Sequence, residues 1–405
     1  MMNRRQFINQ TLAMTGLGLS WKTWAIPNSS SSPRLLVVML RGAYDGASLL
    51  VPHGYPFYYA ARPNIALAQP NPANPDAALD IGHGYGLHPA VASSLHTMFQ
   101  AQQAVLVPFS GSQDLSRSHF QSQDVMELGQ NSSHALDYSS GFLYRLVALL
   151  RQGGRNLNGM SFTSNITPIF KGVAEIPNIN LQGQVNAMAD PRQTSMLEAL
   201  YQGQAMQMYV DEGIQTRQQV SALLDKEMKD ASRGAAKASG FEKVARSMAA
   251  LMRDNPAYAV GFVDVGGWDT HVNQGASNGV LANNLGNLGR GLSSYADELG
   301  VDAWRNTTVV VMSEFGRTFR ENGNRGTDHG HGNTMWILGG SVSGGKLAGE
   351  LMDINEATLF QQRDLPVFND YRSVLGNILS RMYGLNTRQL NEVLPGALIK
   401  DFGIC

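Results

Sequence analysis

The sequence predicts an α/β fold: a doubly wound, mostly parallel sheet carrying a helical insertion. Three observations support this. Short, continuously apolar runs recur along the chain, and strands without polar alternation belong to sheets covered on both faces. A helical stripe joins two of the runs, which makes a strand–helix–strand unit. Motifs rich in Asp, Glu and His follow several runs directly, and in open parallel sheets ligands bind beyond the carboxyl ends of the strands.

The first 32 residues stand apart from the 33–405 body. Arg4 and Arg5 precede a mildly apolar stretch from Thr11 to Trp21, and the small-residue region at Thr23-Trp24-Ala25 precedes Pro27 and a Ser29–Ser32 linker. Charged, apolar and small-residue regions in that order resemble a twin-arginine export signal. The pattern predicts the twin-arginine machinery as a partner and a periplasmic or secreted mature protein. The apolar run is too short to span a bilayer, and no later segment has ~18 uninterrupted apolar residues, so no stable membrane insertion is expected.

Within the body, the strand-like runs are Leu35 to Leu40, Ala104 to Phe109, Val260 to Val265, Thr308 to Met312 and Met335 to Leu338. Leu281, Leu285, Leu288, Leu292, Tyr295 and Leu299 recur in steps of four and three, the spacing of one helix face. The stretch from Pro52 to Pro89 is rich in Pro, Asn, Ala and Gly and reads as surface loop. Residues 193–253 are rich in Met, Ala, Gln and Lys and lack strand runs. They read as a helical insertion that caps the site, with the methionines filling core gaps.

Composition narrows the function. Hydrophobic residues make up 43% and charged residues 16%, with a net charge of −1, which suits a globular body. No clustered Lys and Arg mark a nucleic-acid surface. The one cysteine is Cys405, so an internal disulfide is excluded and a metal site must use N and O donors.

The strand-end motifs supply such donors. Arg41-Gly-Ala-Tyr-Asp45-Gly follows the first run, and Asp45 is either a helix cap or a ligand. Asp269 and His271 follow Gly266-Gly267-Trp268, and in extended backbone residues two apart point to the same side. Asp328, His329 and His331 lie among Gly326, Gly330 and Gly332, a glycine density that does not suit a helix interior. Glu314 ends the fourth run, where a buried carboxylate needs a partner, either Arg317 or a cation. Arg317 is alternatively a fork for an anionic substrate oxygen. Ser116, Arg117 and Ser118 precede a predicted helix from Phe120 to Leu128. Either serine is a helix cap or an activated nucleophile, and Arg117 adds a donor.

Taken in order, Arg41–Gly46, Ser116–Phe120, Gly266–His271, Ser313–Thr318 and Asp328–His331 resemble the bacterial DUF1501 family, over nearly all of the chain after residue 33. That family is similar to the alkaline phosphatase and sulfatase superfamily. The resemblance implies an alkaline phosphatase-like sheet and two divalent metal ions (zinc, calcium, magnesium or manganese) for hydrolysis of phosphate or sulfate esters. Asp45 then matches the first metal-binding Asp, and Ser118, or failing it Ser116, the nucleophile. Asp269 and His271 match the later pair, Glu314 the post-strand acid, and His331 the last histidine. Phe315 stands where a histidine usually follows the post-strand acid, and Asp328 and His329 are expected to compensate. No cysteine stands at the nucleophile position, so formylglycine chemistry is not expected. Two functions follow: an exported metal-dependent hydrolase of a small-molecule or polysaccharide ester, or a non-catalytic exported binding or assembly protein on the same fold. Phe315 in a ligand position favours the second.

Overall fold

The computed structural model describes residues 33–181, 200–204, 206–208, 210–211 and 240–404. The predicted signal and linker lie outside the described residues, as does most of the predicted insertion.

Among the described residues, eleven strands form two sheets. The main sheet contains β1 (Arg34–Leu40), β5 (Ala104–Gly111), β6 (Asn158–Ser161), β7 (Tyr258–Val265), β8 (Thr307–Ser313) and β9 (Asn333–Gly339), with two short strands, β10 (Lys346–Leu347) and β11 (Asn369–Asp370). Its order is β10-β5-β9-β8-β1-β7-β6, and β11 also pairs with β5. β1 lies between β7 and β8 and is parallel to both. β9 is antiparallel to its two neighbours, β5 and β8. The sheet is mostly parallel, as the apolar runs predict.

Both faces of this sheet are covered. Along β1, Leu36, Val38 and Leu40 enter one core, while Leu35, Val37 and Met39 enter the other. The first core takes the helix Phe241–Asp254 through Val244, Ala245 and Met248, and the helix Val280–Leu299 through all six residues of its predicted stripe. The second takes the helices Phe142–Gln152 and Tyr371–Tyr383. Alternate residues with a period of two feed opposite faces, so a run apolar at every position needs helices on both sides.

Two expectations change. The helix Phe241–Asp254 falls within the range assigned to the insertion, yet it is packed into the sheet's own covering layer. The Pro52–Pro89 stretch is not simply surface loop. The helix Pro56–Ala61, β3 (Leu79–Gly82) and β4 (Tyr85–Leu87) lie within it, and β4 also pairs with β2 (Leu50–Val51) in a three-stranded sheet. Tyr58, Leu67 and Tyr85 are buried in the first core. The Pro and Asn residues mark its turns, and the few apolar side chains between them are enough to fasten it down. Among the described residues, no helix is long and apolar enough to cross a membrane.

Candidate metal centre

Register brings the motifs together. Leu40 of β1 pairs with Val265 of β7 and with Ser313 of β8, so three strands end abreast. Gly42, Asp269 and Glu314 leave from the same edge. The antiparallel direction of β9 keeps the preceding loop, Gly326–Gly332, at that edge as well. The helix His119–Leu128 begins just beyond β5 and brings His119 to it. Two glycines permit the crowding. Gly42 has φ +113°, and a Cβ there would lie 2.8 Å from the Asp269 nitrogen. A Cβ on Gly326 would lie 2.3 Å from the His271 carbonyl carbon. No other residue type fits such approaches.

Three imidazoles and one carboxylate meet at this edge. His329 Nε2 lies 3.0 Å from His119 Nε2 and 3.1 Å from His271 Nε2. The Asp269 carboxylate lies 2.9 Å from His271 Nε2, 3.4 Å from His329 Nε2 and 3.6 Å from His119 Nε2. Ligand atoms about 2.0–2.1 Å from a tetrahedral ion stand roughly 3.3 Å apart. The separations among His119, Asp269 and His329 bracket that value, and the donor atoms of these three all lie within 4.8 Å of one another. His271 stands beside them, close to Asp269 and His329 but outside that mutually close set.

The opposite ring nitrogens are all held. His119 Nδ1 is 2.8 Å from Glu314 Oε1, His271 Nδ1 is 3.1 Å from Asp328 Oδ1, and His329 Nδ1 is 3.0 Å from the Arg117 carbonyl oxygen. Carboxylates and carbonyls only accept, so each Nδ1 carries a proton, and in the neutral form of each ring Nε2 would turn a lone pair toward its neighbours. Lone pairs about 3 Å apart repel unless a proton or a cation lies between them. A carboxylate or carbonyl behind each ring is the support expected of metal-binding histidines; Glu314, behind His119, is fully buried and Asp328, behind His271, is half exposed. The donor set therefore fits a borderline divalent cation.

Burial alone would raise the Glu314 pKa, but hydrogen bonds from His119, Gln123 and the Gly42 N–H hold it below the usual carboxylate range. Asp269 is likewise opposed by burial and lowered by the charge and hydrogen bond of Arg317. Asp328 is opposed by burial and lowered by hydrogen bonds from Asn322 and His271. Burial lowers the His329 pKa, which favours the neutral ring. The Glu314 hydrogen bond raises that of His119, which favours the charged ring, so a cation at His119 Nε2 must displace a proton.

The predicted residues divide into three groups. Asp269, His271 and His329 face the common centre, with Glu314 and Asp328 one layer behind as partners of His119 and His271. Arg317 is a strut rather than a substrate fork. Its donors go to Asp269, His271 and the carbonyls of Ala43, Thr327, Gly42 and Trp268. Arg117 bonds Asp364 and Gln361 through its side chain.

Asp45, Ser116 and His331 have other partners. Asp45 is buried, and its two oxygens accept from Arg62 at 2.5 and 3.1 Å, with Ser48 and Gln274 adding 2.7 Å bonds. A guanidinium thus stands where the sequence resemblance implied a cation. His331 is buried beside Phe360, its ring centroid 5.0 Å away, and burial pushes its pKa down to about 4. Ser116 donates to Asp114 at 2.6 Å, and its oxygen accepts from the Ser118 N–H. Ser118 is the half-buried residue at the start of the helix, and its side chain makes no capping hydrogen bond.

His119 was missed by sequence reasoning. It lies inside the Ser116–Phe120 motif, but the serines drew the assignment to nucleophile chemistry. Its position at a strand-end helix start, the same kind of place as the other donors, is the signal that could have found it. Phe315 is buried against this cluster, 5.0 Å from the His119 ring and 5.2 Å from the His329 ring.

The fold and the site together define an α/β protein with a candidate metal centre of His119, Asp269 and His329, with His271 beside them, at the carboxyl edge of its sheet. The chain belongs to the family described as "Protein of unknown function (DUF1501)", whose model matches residues 32–394. No curated protein matches the chain. Among solved structures, it is similar to Ps i-CgsB in complex with k-i-k-neocarrahexaose, at 10% identity and a TM-score of 0.42, covering 90% of this chain and 75% of that one. It is similar to the lipoteichoic acid synthase LtaP from Listeria monocytogenes, at 7% identity and a TM-score of 0.39, covering 94% and 78%. A protein in the alkaline phosphatase superfamily from Vibrio parahaemolyticus aligns at 11% identity and a TM-score of 0.36, covering 94% and 76%.

Proposed function

We propose that this protein is an exported, metal-dependent hydrolase of phosphate or sulfate esters. The observation that carries the reading is the convergence of three histidine Nε2 atoms and the Asp269 carboxylate, with every Nδ1 held from behind. Three imidazoles and one carboxylate suit zinc better than calcium or magnesium, which take oxygen-rich spheres. The donors supply one cation rather than the two implied by the sequence resemblance, because Asp45 is taken by Arg62 and His331 is packed against Phe360. A bound cation would act as a Lewis acid toward an ester oxygen.

The chain's own residues would do the rest. Glu314 and Asp328 keep His119 and His271 in the Nδ1–H tautomer. Arg317 fixes the Asp269 carboxylate. Ser118 precedes His119 directly, and its hydroxyl is the candidate nucleophile toward phosphorus or sulfur. The Arg4-Arg5 pattern supports export.

A second reading is a non-catalytic metalloprotein. Four protein donors can close a tetrahedral sphere, as in structural sites, and Phe315 fills space beside two of the histidines. Zinc-loaded protein assayed against a panel of phosphate and sulfate esters separates the two readings. Turnover by the wild type, absent in His271→Ala, supports the hydrolase. Full zinc occupancy without turnover of any ester refutes it in favour of the structural role.

A further inference from the structure

We propose that Gln274 is a positioning residue that clamps the two ligand-bearing loops together and so sets the spacing of the metal donors. The proposal rests on reading the cluster as a cation site.

Gln274 is fully buried. Its Oε1 accepts hydrogen bonds from Thr270 Oγ1 at 2.8 Å and from Thr327 Oγ1 at 2.9 Å. Thr270 lies between Asp269 and His271, and Thr327 precedes Asp328 and His329. A single carbonyl oxygen thus joins the loop that carries two donors to the loop that carries the third. The other end of the amide is anchored. Gln274 Nε2 donates to Asp45 Oδ2 at 2.7 Å and lies 3.3 Å from Ser48 Oγ. A carboxylate only accepts, so the NH₂ group must face Asp45 and the oxygen must face the threonines. Asp45 is held in turn by the buried Arg62.

Backbone bonds also pair these loops: Thr327 N donates to the Thr270 carbonyl at 3.1 Å, Asn273 N to the Asn324 carbonyl at 2.9 Å and Gln274 N to the Arg325 carbonyl at 2.9 Å, and Asn322 Nδ2 donates to the His271 carbonyl at 3.0 Å. None of these backbone bonds is made by Asp269 or His329 themselves. The side-chain clamp ties the residues adjacent to the donors to one point. Donor geometry must hold within about 0.5 Å for a site to work, so loss of the clamp loosens the sphere without removing a ligand.

The test uses the full chain loaded with Co(II), whose visible absorption reports coordination geometry, with affinity measured by chelator competition. Gln274→Leu should bind about 10- to 100-fold more weakly, the range seen when support behind a ligand is removed. Its stoichiometry should be unchanged and its Co(II) spectrum altered. Thr270→Val and Thr327→Val each remove one donor to Oε1 and should shift affinity and spectrum in the same direction by less. A purely structural role would lower the melting temperature and leave affinity and spectrum alone. Should Gln274→Leu fail to fold, the two threonine variants carry the same test. Wild-type affinity and spectrum in the folded variants would overturn the clamp while leaving the cation reading intact. A wild type that takes up no Co(II) would overturn the cation reading, and the clamp with it.

Discussion

Replacing Asp45 by Ala separates a structural ion pair from a metal ligand. Asp45 and Arg62 are both buried, 1% and 0% exposed. Removing one partner of a buried pair leaves the other charge uncompensated and costs about 3–5 kcal/mol. Arg62 keeps the carbonyls of Phe319 at 2.6 Å and Thr318 at 3.1 Å, so the loss should fall near the lower end of that range. Against a total stability of about 5–15 kcal/mol, such a loss is easily seen by urea denaturation. It should persist in chelator-treated protein, because the pair needs no cation. The pH dependence has a definite sign. Burial opposes ionisation of Asp45, but the charge and hydrogen bonds of Arg62 outweigh it and lower the pKa below 3.8. The carboxylate's contribution is therefore fully present above the unfolded value and is lost as pH falls through the depressed folded value. Asp45→Ala should lack that acid limb. If chelator-treated Asp45→Ala were as stable as the wild type while the untreated variant had lost its cation, Asp45 would be a ligand and the ion-pair account would be wrong.

Three further substitutions address the centre itself. His119→Ala should purify without the cation, measured by elemental analysis, since it removes a donor; unchanged occupancy would exclude His119 from the sphere. Glu314→Gln keeps the shape but removes the charge behind His119, and it should weaken cation affinity by about 10- to 100-fold in chelator competition. An unchanged affinity would show that the Glu314–His119 bond does not tune the site. Ser118→Ala should retain the cation and lose ester turnover, and turnover at the wild-type rate would remove Ser118 as nucleophile.

The sheet was legible because its strands are apolar at every position, which only a doubly covered sheet explains. The convergence of the strand-end residues was legible too: Asp269, His271 and Glu314 follow β7 and β8, whose ends lie abreast. The direction of β9 was not. An apolar run reads the same in both directions, and only the pairing of Val311 with Trp336 and of Thr308 with Gly339 shows it to be antiparallel. Roles within the site were harder still. Asp45 looks like a ligand until Arg62 is seen to reach it from a segment whose composition reads as surface loop. Glu314 and Asp328 carry ligand chemistry, but the structure sets them behind histidines. A carboxylate's role depends on which nitrogen it faces, and spacing along the chain does not encode that. His119 was hidden by neighbouring serines with an equally plausible use.

The proposed centre is one cation held by His119, His329 and Asp269, with His271 closing the sphere. X-ray absorption at the zinc edge, on zinc-loaded full-length protein with its metal content determined, tests it most directly. The expected result is one zinc per chain, with three nitrogen neighbours and one or two oxygens at about 2.0–2.2 Å and the outer-shell scattering of imidazole rings. A protein that binds no zinc, binds two, or shows a sphere without imidazole would contradict it.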